Sequence, residues 1–184
     1  MMLSVCVWNN HIMEDALKIT VSHFGEIDVA ETDIFNATVP VPGFPDSHRY
    51  FFIERDKIKP FKWFQSADDP NLTFVVVEPQ YFFHDYKPKF GAFDLKEIGL
   101  GPGEKPTMYA IVVLPEDLTK MTANMRGPLI VNPAEHLFKQ VFIETDRWSV
   151  RESIIEGIKR KEKAALLDKK KLGPQPGHKN AGTT

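Results

Sequence analysis

Between Thr122 and Ile143 the chain reads TANMRGPLIVNPAEHLFKQVFI, and no other stretch restricts the fold as strongly. Two short apolar runs, Leu129–Val131 and Val141–Ile143, flank a polar turn at Asn132, Pro133, Ala134 and Glu135. Runs of this length, rich in Val, Ile and Phe and bounded by Pro and Asn, predict strands joined by a short connection. Gly127-Pro128 precedes the first run. A proline cannot donate to a strand ladder, so it places that run at a sheet edge or beside a bulge. The stretch holds no nucleophile, metal cluster or phosphate loop, and reads as a piece that shapes a surface.

The same pattern recurs along the chain. Lys18–Phe24, Glu26–Val29, Arg49–Glu54, Phe61–Gln65, Leu72–Val77 and Thr107–Leu114 are short apolar or aromatic segments. Asp68-Asp69-Pro70-Asn71 is a turn, and Pro40, Pro42, Gly43 and Pro45 impose a rigid irregular connection. One or two helical turns fit Leu95–Leu100, stopped by the glycines that follow. Many short strands punctuated by Pro and Gly argue for a mainly β barrel or sandwich. Leu3–Val7 is a further short apolar run whose role the sequence does not disclose. From Arg151 the character changes: RESIIEGIKRKEKAALLDKKK predicts a helix with one apolar patch at Ile154, Ile155 and Ile158. LGPQPGHKNAGTT beyond it has the composition of a disordered tail. The expected organisation is an N-terminal extension over 1–17, a β domain over 18–150, and a basic helix and tail over 151–184. A domain of this size buries roughly 70% of its unfolded surface and needs no staples.

The net charge of −2 hides an asymmetry. Through Val150 there are 14 Lys and Arg against 21 Asp and Glu; from Arg151 on, 9 against 4. An acidic body repels nucleic-acid phosphates, so the core domain is not expected to bind nucleic acid directly. It suits a basic protein, because complementary fields guide association. The single Cys6 forbids an internal disulfide and a cysteine-rich metal site, which fits a reducing compartment. No apolar run is long enough for a membrane span. A start with Glu14 and Asp15 and no basic lead is not a secretory signal.

The inventory of reactive groups is thin. Cys6 has no local partner. Glu78 with His84-Asp85 offers a base and an orienting carboxylate for a small hydrolase or isomerase. No nucleophile accompanies them, and adjacent side chains on an extended chain point apart. A deep pocket enclosing Glu78 and His84 would favour that reading; a shallow surface would favour binding. The histidines show no i, i+4 metal spacing, and Gly99, Gly101 and Gly103 lead to Lys105-Pro106 rather than to a phosphate-binding helix. The lysines between Lys159 and Lys171 could instead serve a nucleic-acid protein. The thin inventory favours a binding protein that is not an enzyme and carries no cofactor or metal. Its best surface is Glu78 to Tyr86, EPQYFFHDY, where a proline ends a strand and aromatics alternate with acids. Glu78, Gln80, Tyr81, Phe82, Phe83, Asp85 and Tyr86 are the candidate contact residues there, with Phe82, Phe83 and Tyr86 equally able to fold inward. Asn124 and Arg126 follow, as polar residues alternating with Ala123 and Met125.

From about Ile19 to Ser153 the chain resembles the FliW family of flagellar assembly factors. The pieces that carry the likeness stand in order: FGEIDV at Phe24–Val29, VPGF at Val41–Phe44 and FQSADDPNLTFVVVEPQYFFHDY at Phe64–Tyr86. They continue with YAIVVLPEDLTKMTANMRGPLIVNP at Tyr109–Pro133, KQVFI at Lys139–Ile143 and WSVRE at Trp148–Glu152. Pro40 departs from the glycine usual in the family. The resemblance implies a small antiparallel β-barrel-like domain without enzymatic activity, working in the cytoplasm. It implies two alternative protein partners, newly made flagellin and the RNA-binding translational repressor CsrA, whose silencing of flagellin mRNA such proteins prevent.

Overall fold

The structure is a computed structural model that describes residues 16–171, with side chains described through Leu166. Leu3–Val7, Cys6 and the segment after Lys171 lie outside the described residues. The strands are β1 (Ala16–Val21), β2 (Gly25–Ala30), β3 (Phe35–Ala37), β4 (Arg49–Ile53), β5 (Lys62–Ser66) and β6 (Thr73–Val77), then β7 (Thr107–Val113), β8 (Thr122–Ala123), β9 (Leu129–Asn132), β10 (Leu137–Gln140) and β11 (Glu152–Ser153). Two helices, α1 (Ala92–Glu97) and α2 (Ile154–Lys171), complete the set.

Seven strands close into a barrel in the order β7-β6-β5-β4-β3-β10-β9, with β9 returning to β7. The pairings are antiparallel except β3 with β10, which run parallel. The barrel predicted from the family resemblance is therefore present, with one parallel junction that nothing local in the sequence signals. Its interior is aromatic. Tyr50, Phe64 and Phe138 are fully buried. Tyr50 stacks on Phe64 at 4.9 Å, and Phe138 meets both edge-on. Such contacts add to the burial of large rings.

The outer face of the barrel is covered as well, in three places. The β1–β2 hairpin lays Val21, Ile27 and Val29 on Phe51 and Ile53. Helix α1 and its flanks lay Ile98 and Phe90 on Ile130 and Val141. The loop after β6, the segment around Trp148 and the start of α2 cover Val77, Ala110 and Val112. Strands buried on both faces lose the alternation of apolar and polar residues. That is why RYFFI, TFVVV and TMYAIVV read as continuous apolar runs.

The stretch from Thr122 to Ile143 closes the barrel. β8 pairs with the end of β7, Val112 against Ala123, whereas β9 pairs with its start, Tyr109 against Leu129. Five residues, Asn124–Pro128, stand opposite two on β7, so of the sheet edge or bulge expected at Gly127-Pro128 the structure has the bulge. Asn124 Oδ1 accepts the amides of Arg126 and Gly127, at 3.2 and 2.9 Å. A Cβ on Gly127 would lie 2.8 Å from Asn124 Nδ2, which keeps that position free of a side chain. The second run differs from expectation. The strand is Leu137–Gln140, and Val141–Ile143 has left the ladder, although Val141 and Ile143 still donate to the carbonyls of Pro128 and Arg126. Neither partner donates back: Pro128 has no N–H, and the Arg126 amide is taken by Asn124 Oδ1, so half of each antiparallel pair is missing. The helix expected from Leu95 spans Ala92–Glu97, and α2 starts at Ile154 rather than Arg151 because Glu152–Ser153 pair with β8. The boundary expected at residue 17 falls inside β1.

Candidate partner-binding surface

The loop after β6 begins with a single 3-10 turn, Pro79–Tyr81, and its residues divide sharply. Phe83 and Tyr86 are buried, with exposures of 2% and 1%. Both rings meet Trp148 edge-on, at 5.7 and 5.2 Å. The Tyr86 hydroxyl donates to the Met125 carbonyl at 2.8 Å, tying this loop to the bulge. Burial pushes the Tyr86 phenol far above its ordinary value. These two aromatics are core: of the outward and inward placements left open for them, the structure takes the inward one. Two uncovered barrel strands beneath them needed a lid, and the loop supplies it.

Tyr81 and Gln80 are exposed, and Phe82 is half-buried against Phe61 at 5.7 Å. Lys161 of α2 donates to the Tyr81 carbonyl at 2.6 Å. Asp85 is half-buried and ion-paired with Arg147. Glu78 sits at the end of β6, near the buried Tyr109 phenol. Burial raises that phenol's pKa, Lys62 opposes the rise and Glu78 adds to it. Among the described residues no hydrogen bond or ion pair joins Glu78 to His84, which is exposed. Glu78 itself is half-buried.

Asn124 is committed to the bulge it closes. Arg126 projects from the same bulge, its guanidinium 4.9 Å over the ring of Phe142, which is 71% exposed. Its Nε is buried and makes no hydrogen bond among the described residues. The sequence reading missed Phe142, because it was assigned to a strand with its neighbours.

Beside Asp85 a groove of about 480 Å³ opens between the chain at 85–89 and the chain at 143–148. Lys87, Pro88, Lys89, Ile143, Glu144, Thr145, Arg147 and Trp148 line it with Asp85. Arg147 lies 5.3 Å over Trp148, and Arg160 of α2 lies 5.9 Å over the same ring. Sequence inspection passed over this groove, since its two walls lie more than fifty residues apart. Among the described residues no group of three or more His, Cys, Asp and Glu is placed to hold a metal. No described helix is long and apolar enough to cross a membrane.

The family model for the FliW protein matches residues 18–154, the whole barrel with its coverings as far as the first residue of α2. The chain belongs to the FliW family. It is 34% identical over 147 residues to the flagellar assembly factor FliW of Ruminiclostridium cellulolyticum, covering 79% of this chain and 99% of that protein. The flagellar assembly factor FliW of Leptospira biflexa is 35% identical over 144 residues, covering 78% and 94%. A crystal structure of the flagellar assembly factor FliW superposes with a TM-score of 0.69 at 25% identity, over 74% of this chain and 96% of that one. Nearly all of α2 lies beyond the segment that the FliW model matches.

Proposed function

We propose that this protein is a cytoplasmic flagellar assembly factor that binds flagellin and, alternatively, CsrA, and acts by binding rather than by catalysis. Membership of the FliW family across residues 18–154 carries this reading. The surface supports it. The body up to Val150 is acidic, and Gln80 and Tyr81 stand exposed beside Glu78 and Asp85. An exposed aromatic on an acidic body is a fitting contact for a basic RNA-binding protein. Of the residues first considered, Glu78, Gln80, Tyr81, Phe82, Asp85 and Arg126 remain candidates, whereas Phe83, Tyr86 and Asn124 act from within.

The test is capture of purified flagellin and purified CsrA by the full chain, each alone and both together. Each partner binds alone and displaces the other; failure of both to bind sinks the reading. Charge steering acts through screened fields, with a Debye length of ~10 Å at 0.1 M salt and ~3 Å at 1 M. Association with CsrA therefore slows as salt rises while dissociation changes less, as stopped-flow mixing would show. Tyr81→Ala weakens CsrA binding by ~1–2 kcal/mol without shifting the urea midpoint.

A further inference from the structure

The groove beside Asp85 differs in charge from the rest of the body. Its rim carries three cations, Lys87, Lys89 and Arg147, against Asp85 and Glu144, in a body that otherwise has a large acidic excess. Lys87 and Lys89 are exposed and make no hydrogen bond or ion pair among the described residues. Arg147 spends one amino group on Asp85 and keeps the rest of its fork of donors.

The walls are also unusual. Neither belongs to a strand or helix, and the backbone amides of Lys87, Lys89, Glu144 and Thr145 make no hydrogen bond among the described residues. The floor is rigid and apolar, because Trp148 is wedged against Phe83 and Tyr86. Free main-chain groups along a groove are what an extended peptide pairs with, and pockets and charges beside them select its side chains.

We propose that this groove binds an extended acidic peptide segment of a partner protein, with its carboxylates on Lys87, Lys89 and Arg147 and its backbone paired to the walls. Charge complementarity selects the occupant: an acidic segment relieves two unpaired lysines, while a basic one would meet like charge. The groove is thus separate in kind from the acidic surface around Tyr81. It stands whether or not CsrA is a partner.

The test uses the full chain, isotope-labelled for NMR, titrated to millimolar concentration with the capped peptide Gly-Glu-Val-Glu-Val-Glu-Gly. A second peptide with Lys in place of Glu and a short single-stranded RNA form the other arms. The Glu peptide shifts the amides of Lys87, Lys89, Glu144 and Thr145 and the Trp148 indole. The double variant K87E/K89E weakens that binding by about tenfold or more, with an unchanged urea midpoint since neither lysine has a partner among the described residues. Three results would each overturn the proposal: equal binding of the Glu and Lys peptides, shifts confined to other surfaces, or RNA shifting these amides while the Glu peptide does not. Capture of CsrA by the same double variant is not weakened, since the added negative charge favours a basic partner, so failure here is distinct from failure of the family reading.

Discussion

The barrel interior and the cluster around Trp148 are both aromatic and largely buried, yet they are closed by different means. Inside the barrel, Tyr50, Phe64 and Phe138 are fenced by seven mutually paired strands. Around Trp148 the fence is irregular chain plus the first turns of α2, with Ile154 buried and Ile158 half-buried. The first is held by a ladder that a single side chain cannot undo. The second is held by individual contacts, and the exposed residues proposed for binding are carried on the same pieces of chain. Rigid strands supply the platform, and loops built on it supply the surface.

The largest effect expected on the barrel side is Phe64→Ala, which removes a ring packed against Tyr50, Phe52 and Phe138. It costs ~3–5 kcal/mol in urea unfolding. A cost below that of substitutions around Trp148 would reverse the ranking of the two regions.

Gly157→Ala probes the outer cluster. Its Cβ would lie 2.5 Å from the Phe83 ring. A docked α2 makes this overpacking cost ~1–3 kcal/mol. An undocked helix would instead gain ~0.5–1 kcal/mol from alanine's helix propensity. The sign of the midpoint shift decides between them.

Tyr86→Phe keeps the ring and deletes the donor to the Met125 carbonyl. Leaving that carbonyl unpaired costs ~1–2 kcal/mol. A neutral result would mean the loop is tied to the bulge by packing alone.

Acid separates the two regions by their polar clamps. At the barrel rim, Asp68 accepts the amides of His48 and Arg49, each at 2.8 Å, and pairs with the Arg49 guanidinium. Burial opposes ionisation of Asp68, but those donors outweigh it and hold its pKa below the ordinary value. A carboxyl lowered in the folded state adds stability above its unfolded value, about 3.9, and loses it as pH falls through the folded value. The clamp at Tyr86 is a phenol that stays protonated throughout. Lowering the pH below about 4 therefore weakens the rim, and Asp68→Asn flattens this acid limb of the stability curve. An unchanged limb would place the acid sensitivity elsewhere.

The smallest effect is truncation after Lys161. Glu162, Lys163, Ala165 and Leu166 are exposed. Removing the chain beyond Lys161 shifts the midpoint by under about 0.5 kcal/mol, because a stretch of helix whose described side chains are mostly exposed gains little from its length. A shift as large as that of Gly157→Ala would reveal a seat for the second half of α2.

By itself the sequence determined most of the longer strand segments, the break at Gly127-Pro128 as a sheet edge or a bulge, the apolar patch that starts α2 and the acidic body. Each follows from local chemistry: a proline that cannot donate, a short apolar run between turn residues, isoleucines at helical spacing. Tertiary structure alone decided which aromatics of EPQYFFHDY face inward. Phe82, Phe83 and Tyr86 are alike in sequence, and only the uncovered outer face of β6 and β7 and the arrival of Trp148 from sixty residues away draw Phe83 and Tyr86 under cover. Tertiary structure also brought Lys87 and Lys89 opposite Arg147. Segments far apart in the chain carry no local signature of their meeting, so a groove between them is written in the fold and not in either segment.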